Sequence, residues 1–95
     1  MNGLEAAYAR EVLEPLKLAG EVADYWFERL TFKLADDCRY TPDFVVQLAG
    51  GEIECHEVKG TFIRDDAKVK LKVAATMFPF VFRLCIKLAG RGSIR

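Results

Sequence analysis

Two segments with the alternating apolar pattern of β-strands lie on either side of a glycine-rich turn, and they constrain the fold more than any other feature. The segments are residues 40–48 and 52–59, joined by Ala-Gly-Gly at 49–51. This pattern predicts an antiparallel hairpin. Asp43, Glu57 and Lys59 lie among its apolar residues. Charged groups in a half-buried strand are costly unless they are paired or coordinate a ligand, so they require an explanation.

The length of the turn decides which residues of the hairpin face each other. A three-residue loop places Asp43 opposite Glu57, on the strand face that also carries Lys59. A two-residue loop gives a better match of apolar residues across the hairpin and turns Asp43 to the other face. A bulge near Pro42 would reconcile the two registers, and the sequence leaves both open.

The rest of the chain predicts a helix before these strands and a helix and a strand after them. Helical spacing over 4–18 is followed by Gly20, although Pro15 favours a kink or an earlier end. The further elements are a strand over 25–34, a helix from Asp65 or Asp66, and a last strand over 80–88. This α-β-β-β-α-β order predicts one α/β domain over 1–95, with a mixed sheet flanked by helices and a loose tail at 89–95.

Composition narrows the class of protein. The chain has 95 residues and is 52% hydrophobic, which favours one globular domain and excludes a disordered chain. No apolar run approaches the about 18 residues of a membrane span, and no signal-peptide pattern is present. Three cysteines without paired spacing argue against a disulfide scaffold and fit the reducing cytoplasm. The same lack of paired spacing disfavours a zinc site built from Cys38, Cys55, His56 and Cys85.

Charge is distributed unevenly along the chain. Residues 1–58 hold 5 Lys/Arg and 12 Asp/Glu, whereas residues 59–95 hold 9 and 2. The basic half fits a polyanion, or the two halves neutralise each other across the fold. Arg64, Lys68 and Lys72 share one side of the second helix, where they form either a solvated face or a set of phosphate contacts.

The charged residues of the hairpin favour a particular chemistry. Two carboxylates held close together repel each other unless a cation joins them. Oxygen ligands without a thiolate or a pair of imidazoles suit Mg²⁺ or Mn²⁺. An adjacent lysine can orient a water molecule or stabilise charge on a phosphate. Metal, water and lysine together are the requirements for hydrolysing a phosphodiester.

These residues carry a resemblance to a known family. Pro42–Asp43 followed by Glu57–Val58–Lys59 resembles the signature of the PD-(D/E)XK nuclease superfamily. The segments LEAAYARE, YTPDF, HEVKG and RDDAKVKLKVAA extend the likeness over residues 4 to about 88. Within the superfamily they resemble small phage and prophage proteins, which are similar to the phage junction-resolving endonuclease I.

The resemblance implies a restriction-endonuclease-like core and a Mg²⁺-dependent DNA endonuclease, with Mn²⁺ as a substitute. Asp43, Glu57 and the carbonyl of Val58 would bind the metal, and Lys59 would position the attacking water. Glu5 is the expected additional acidic residue from the first helix. The DNA would be branched or structured, the enzyme a homodimer, and the setting the cytoplasm of a bacterial or phage-infected cell.

Other residues and functions are weaker candidates. Glu11 and Glu14 are alternatives to Glu5, although they are more typical of solvated helix charges. His56 alternates to the strand face opposite Glu57, which favours a surface or packing role, and Glu28 is expected near the end of the sheet. The alternative function is a catalytically inactive module that binds nucleic acid or assists assembly. The hypothesis of a purely structural protein leaves the three charged residues in the strands unexplained.

Overall fold

A computed structural model describes residues 1–60 and 65–86 and has a mixed α/β architecture. A four-stranded sheet and a two-stranded sheet are accompanied by an N-terminal helical segment and one later helix. The predicted site residue Arg64 and the predicted tail at 89–95 lie outside the described residues. Within the described ranges, no helix combines the length and the apolar character that a membrane span requires.

The N-terminal helical segment is continuous, but its winding changes near the middle. Helices α1 (Gly3–Tyr8) and α2 (Glu14–Leu18) are α-helical, and Ala9–Leu13 between them form a π-helical turn. Pro15 has no N–H for the usual hydrogen bond to the preceding turn. The wider π turn directly before it accommodates the proline, so the segment continues to Leu18 without ending at this point.

The later helix and the strands follow the predicted order, with one additional hairpin. They are β1 (Val22–Phe27), β2 (Phe32–Ala35), β3 (Cys38–Tyr40), β4 (Phe44–Leu48), β5 (Ile53–Lys59), α3 (Asp65–Met77) and β6 (Val81–Ile86). The main sheet has the order β1-β4-β5-β6, in which β6 is parallel to β5 and the other pairs are antiparallel. The predicted parallel pairing of the last strand is therefore confirmed.

The prediction of one strand over 25–34 is wrong, because the chain changes sheets there. β1 ends at Phe27, and Glu28 has a φ of 48°, in the left-handed region that breaks an extended strand. The chain then forms β2, which pairs with β3 in the small sheet. The predicted strand over 40–48 is also interrupted, since Pro42 separates β3 from β4 and has no N–H to donate to a sheet.

The register of the central hairpin is the one that a three-residue loop requires. Phe44 pairs with His56, and Gln47 pairs with Ile53. The N–H of Leu48 donates to the carbonyl of Glu52 over 2.9 Å, which closes the loop at 49–51. The alternative two-residue loop is therefore wrong.

Apolar clusters cover both faces of the main sheet. Cys55 and Val58 of β5 belong to different clusters, because residues an odd number apart in a strand point to opposite faces. The cluster around Val58 packs under the N-terminal helical segment, and its centre is the fully buried Phe44. The cluster around Cys55 contains residues of α3 and of the β2–β3 hairpin. The predicted sandwich of helices around a sheet is confirmed, and the hairpin shares the second layer.

Candidate active site

Asp43 lies directly before β4, at the point where the chain returns from the small sheet. Its side chain is buried, and Oδ2 accepts a hydrogen bond of 2.8 Å from the N–H of Val58 in β5. Its main-chain carbonyl accepts a hydrogen bond of 2.9 Å from the N–H of Glu28, just after β1. Two neighbouring strands therefore fix both the backbone and the carboxylate of Asp43.

Glu57 and Lys59 lie two residues apart on β5 and therefore share a face of the sheet. Lys59 Nζ is 3.2 Å from Glu57 Oε2, and the lysine side chain is 30% exposed whereas the glutamate side chain is 5% exposed. The second carboxylate oxygen, Oε1, accepts a hydrogen bond of 2.8 Å from the hydroxyl of Tyr40. The glutamate is thus held from two sides, while the lysine remains accessible to solvent.

The pKa of Asp43 reflects its burial and the neighbouring charged groups. The pKa of Asp43 is raised to about 7, mainly by burial and further by the negative charges of Glu57 and Glu5, against the lowering effects of the Val58 N–H and of Lys59. Glu57 and Lys59 therefore interact with Asp43 as the three-residue loop predicts. A carboxyl group in this position is protonated in part of the molecules at neutral pH unless a cation approaches it.

Glu5 is the carboxylate of the N-terminal helical segment whose charge acts on Asp43. It is half-buried on α1 and forms a capping box with Asn2, in which each backbone N–H donates over 2.8 Å to the other side chain. Its charge contributes to the raised pKa of Asp43. By contrast, Glu11 is exposed and paired with Arg10, and Glu14 is exposed and accepts a hydrogen bond from Tyr25. Both were expected to be solvated helix charges, and both are.

The donor atoms of the cluster fit a hard cation that keeps several of its waters. Asp43 and Glu57 supply carboxylate oxygens. The Val58 N–H donates to Asp43 Oδ2, so the other oxygen, Oδ1, is available to a cation. In the part of the chain that the structure describes, no group of three or more His, Cys, Asp or Glu side chains could hold a metal ion. This finding lends no support to the zinc set of Cys38, Cys55, His56 and Cys85, and it leaves Asp43 and Glu57 as a pair that Glu5 does not extend to a ready-made group of three.

A second buried polar network lies on the opposite face of β5 and was not predicted from the sequence. Tyr8 contacts His56 Nδ1 over 2.6 Å, and His56 Nε2 contacts Glu54 Oε1 over 2.9 Å. Arg83 of β6 donates two hydrogen bonds to Glu54, of 2.9 and 3.1 Å. The packing role expected for His56 is therefore correct, but the network around it joins three elements, α1, β5 and β6, which no local pattern connects.

The hydrogens in this network can be assigned from the charges. Burial would raise the pKa of Glu54, but hydrogen bonds from Arg83 and His56 lower it, so the group is an ionised acceptor. Burial lowers the pKa of His56, so the imidazole is neutral and its one N–H points to Glu54. His56 Nδ1 is then an acceptor, and the Tyr8 hydroxyl donates to it.

The remaining predicted residues within the described part of the chain are exposed. Lys68 and Lys72 are exposed on α3, next to the exposed apolar residues Val69 and Val73. Glu28 is exposed at the end of β1, as expected. The structure thus places Asp43, Glu57 and Lys59 together, with Glu5 within electrostatic range, and leaves Lys68 and Lys72 on an open helix face.

Tyr40 is a residue of the site that sequence reasoning missed. It stands two positions before Pro42 in the segment YTPDF, and it belongs to β3, whereas the sequence pattern predicts one strand over 40–48. A buried tyrosine hydroxyl needs a hydrogen-bond partner, which is the signal that could have drawn attention to it.

Three comparisons with known proteins found no match. No protein-family model matches the chain. No curated protein matches it, and no solved structure does. The arrangement of Asp43, Glu57 and Lys59 is therefore the basis for proposing a function.

Proposed function

We propose that the protein is a Mg²⁺-dependent deoxyribonuclease that cleaves phosphodiester bonds within branched or structured DNA. The observation that carries this proposal is the convergence of Asp43, Glu57 and Lys59 at the junction of β4 and β5. It is the geometry that the resemblance to PD-(D/E)XK nucleases requires. The four-stranded sheet with α1 before it and α3 within its last crossover also supports a restriction-endonuclease-like core, into which the β2–β3 hairpin is inserted.

The residues that would hold the metal are Asp43, Glu57, the carbonyl of Val58 and Glu5. In an antiparallel ladder one residue exchanges both of its hydrogen bonds with a single partner, so its N–H and carbonyl leave the strand on the same side. Because the Val58 N–H points to Asp43, the Val58 carbonyl leaves β5 on the Asp43 side. A bound Mg²⁺ would act as a Lewis acid on the phosphate and would lower the pKa of a water molecule.

The chain's own contribution to the chemistry comes from Lys59 and from the burial of the carboxylates. Lys59 is partly exposed, so its ammonium group can hydrogen-bond to a water or to a phosphate oxygen while it stays near Glu57. The buried carboxylates are held by β5 and by Tyr40 before any substrate binds, which reduces the reorganisation needed at the reacting phosphate.

DNA as the substrate is supported by charge. Residues 59–95 hold 9 Lys/Arg and 2 Asp/Glu, and Lys68 and Lys72 are exposed on α3, which begins shortly after Lys59. Phosphate contacts by such lysines position DNA without reading its sequence. A homodimer would supply two sites for paired incisions, and the cytoplasm of a bacterial or phage-infected cell is the corresponding setting.

The proposal is tested with purified protein, a four-way DNA junction and linear duplex of the same sequence. Wild-type protein should cleave the junction with Mg²⁺ or Mn²⁺ and not with EDTA. Asp43→Asn and Lys59→Ala should each abolish cleavage while circular dichroism shows an intact fold. Lys33→Ala is the matched control, because Lys33 is an exposed lysine of β2 whose ion pair is with the exposed Asp36. Cleavage by either site variant at the wild-type rate would refute the proposal.

The alternative is a catalytically inactive module that binds nucleic acid or assists assembly on the same fold. It is favoured by one observation, the absence among the described residues of a preformed group of three metal-binding side chains. On this alternative the wild-type protein binds the junction but leaves it uncut at every divalent concentration. The same assay therefore separates the two functions.

A further inference from the structure

Tyr40 connects the inserted hairpin to the carboxylate of Glu57. It is the last residue of β3, its exposed fraction is 4%, and its ring packs near Phe82 of β6. Burial raises the pKa of the Tyr40 hydroxyl, and the charge of Glu57 raises it further, so the group stays protonated and donates. The hydrogen bond to Glu57 Oε1 is 2.8 Å long and buried.

The four carboxylate oxygens of Asp43 and Glu57 are therefore not equivalent. Asp43 Oδ2 is occupied by the Val58 N–H, and Glu57 Oε1 is occupied by the Tyr40 hydroxyl. Among the residues that the structure describes, Glu57 Oε2 is paired with Lys59, whose side chain is 30% exposed, so a cation can approach this oxygen from the solvent side. Each carboxylate thus keeps one oxygen for a ligand, Oδ1 on Asp43 and Oε2 on Glu57.

We infer that Tyr40 is a positioning residue that restricts Glu57 to one metal-binding oxygen and thereby favours Mg²⁺ over Ca²⁺. This inference rests on the proposed function, because it concerns the same site. Mg²⁺ requires a near-octahedral set of single oxygens, whereas Ca²⁺ accepts both oxygens of one carboxylate and a larger coordination number. A donor that holds one oxygen of Glu57 opposes the arrangement that Ca²⁺ uses best.

The test is the affinity of the purified protein for each ion, measured by calorimetry without DNA. In Tyr40→Phe, we expect Mg²⁺ affinity to fall by about 10- to 100-fold, in the range found for residues that orient metal ligands. Ca²⁺ affinity should stay constant or rise, so that the preference for Mg²⁺ decreases by at least about tenfold. A general loss of stability would lower the affinities for Mg²⁺ and Ca²⁺ together. The ratio of the two affinities therefore distinguishes a positioning role of Tyr40 from a purely structural one.

Tyr25→Phe is the matched control, because it removes a tyrosine hydroxyl that donates to a carboxylate, that of Glu14, on the exposed side of the protein. It should leave both affinities unchanged. Wild-type protein that binds neither ion overturns the proposed function and this inference together. Wild-type protein that binds Mg²⁺, with an unchanged ratio in Tyr40→Phe, overturns the inference alone.

A second measurement does not use Tyr40→Phe and therefore applies even if that variant does not fold. Difference infrared spectra of the wild-type protein with and without Mg²⁺ report the separation between the two carboxylate stretching bands. One-oxygen binding should widen this separation relative to the metal-free protein. A narrowed separation that is lost in Glu57→Gln would show two-oxygen binding at Glu57 and would overturn the inference.

Discussion

The N–H of Val58 donates a 2.8 Å hydrogen bond to Asp43 Oδ2, which ties the first carboxylate of the site to the strand that carries the second. Because Val58 stands between Glu57 and Lys59 in sequence, the three charged groups cannot move independently of β5. The same hydrogen bond lowers the pKa of Asp43, but burial outweighs it. Without a cation, the ionised form of Asp43 is therefore unfavourable in the folded protein, and this should affect the dependence of stability on pH.

The first prediction concerns pH and the metal-free protein. The pKa of Asp43 is about 7 in the folded protein and 3.8 as its ordinary value. The folded state therefore holds more protons than the unfolded state between these pH values, so stability should fall as pH rises from about 4 to 7. The slope should reach at most about 1.4 kcal/mol per pH unit. Urea unfolding in EDTA at several pH values measures it.

Asp43→Asn isolates this effect, since asparagine keeps an oxygen that can accept from Val58 but does not titrate. The variant should lose the decline and be more stable than wild type at pH 7.5. His56 acts in the other direction: its lowered pKa lies below the ordinary 6.5, so its contribution is present above pH 6.5 and is lost as pH falls. That second effect should persist in Asp43→Asn. Parallel stability curves for the two proteins above pH 5 would contradict the assignment.

The second prediction concerns the buried network on the other face of β5. Tyr8→Phe removes the donor to His56 Nδ1 and leaves a buried acceptor without its partner, which should reduce the free energy of unfolding by about 1–3 kcal/mol. Tyr25→Phe, at an exposed hydrogen bond, should change it by less than about 0.5 kcal/mol. Urea midpoints of the two variants provide the comparison, and equal losses would argue against a buried Tyr8–His56 bond.

The third prediction concerns the exposed lysines of α3. If Lys68 and Lys72 contact phosphates, the double change to alanine should lower the slope of log affinity against log salt by about two units, one for each contact. Lys17→Ala/Lys33→Ala makes the same change in net charge at two lysines that are paired with acidic residues. Fluorescence anisotropy with a junction measures both slopes. The same decrease in the two double variants would point to net charge alone.

The fourth prediction concerns assembly. Paired incisions require two sites, so we expect light scattering to give about twice the chain mass of 10.7 kDa at micromolar concentration, with or without a junction. The cleavage products should then include cuts on both strands. A monomer mass in both conditions, together with single-strand nicks only, would show that the protein acts alone.

The central hairpin could be predicted from the sequence because its information is local. Alternation, the Ala-Gly-Gly turn and the helix start at Asp65 or Asp66 each depend on residues close together in the chain, and the structure follows them within a few positions. The loop length gave the right register as one of two alternatives. The apolar match across the strands favoured the other register, because it took no account of the buried polar residues Glu54 and His56.

The inserted hairpin could not be predicted, because the strand pattern over 25–34 continues through a change of sheet. The apolar alternation runs from Trp26 to Phe32 as if it were one strand, and the left-handed backbone at Glu28 occurs at a residue type that gives no warning of it. The contacts of Tyr40 with Glu57 and of Tyr8 with His56 join residues 17 and 48 positions apart. Such pairs depend on tertiary packing, which no periodic pattern encodes.

The hydrogen bond between the Glu28 N–H and the Asp43 carbonyl joins the two ends of the excursion that contains β2 and β3. Since β1 and β4 are neighbours in the main sheet, residues 29–42 leave and return at one place, and a tight turn there would preserve every pairing of the four-stranded sheet. Shortening the excursion would nevertheless remove Tyr40. Metal preference would then depend on an insertion that the pairing of the main sheet does not require, although the same insertion also contributes the buried Phe32 to the apolar cluster around Cys55.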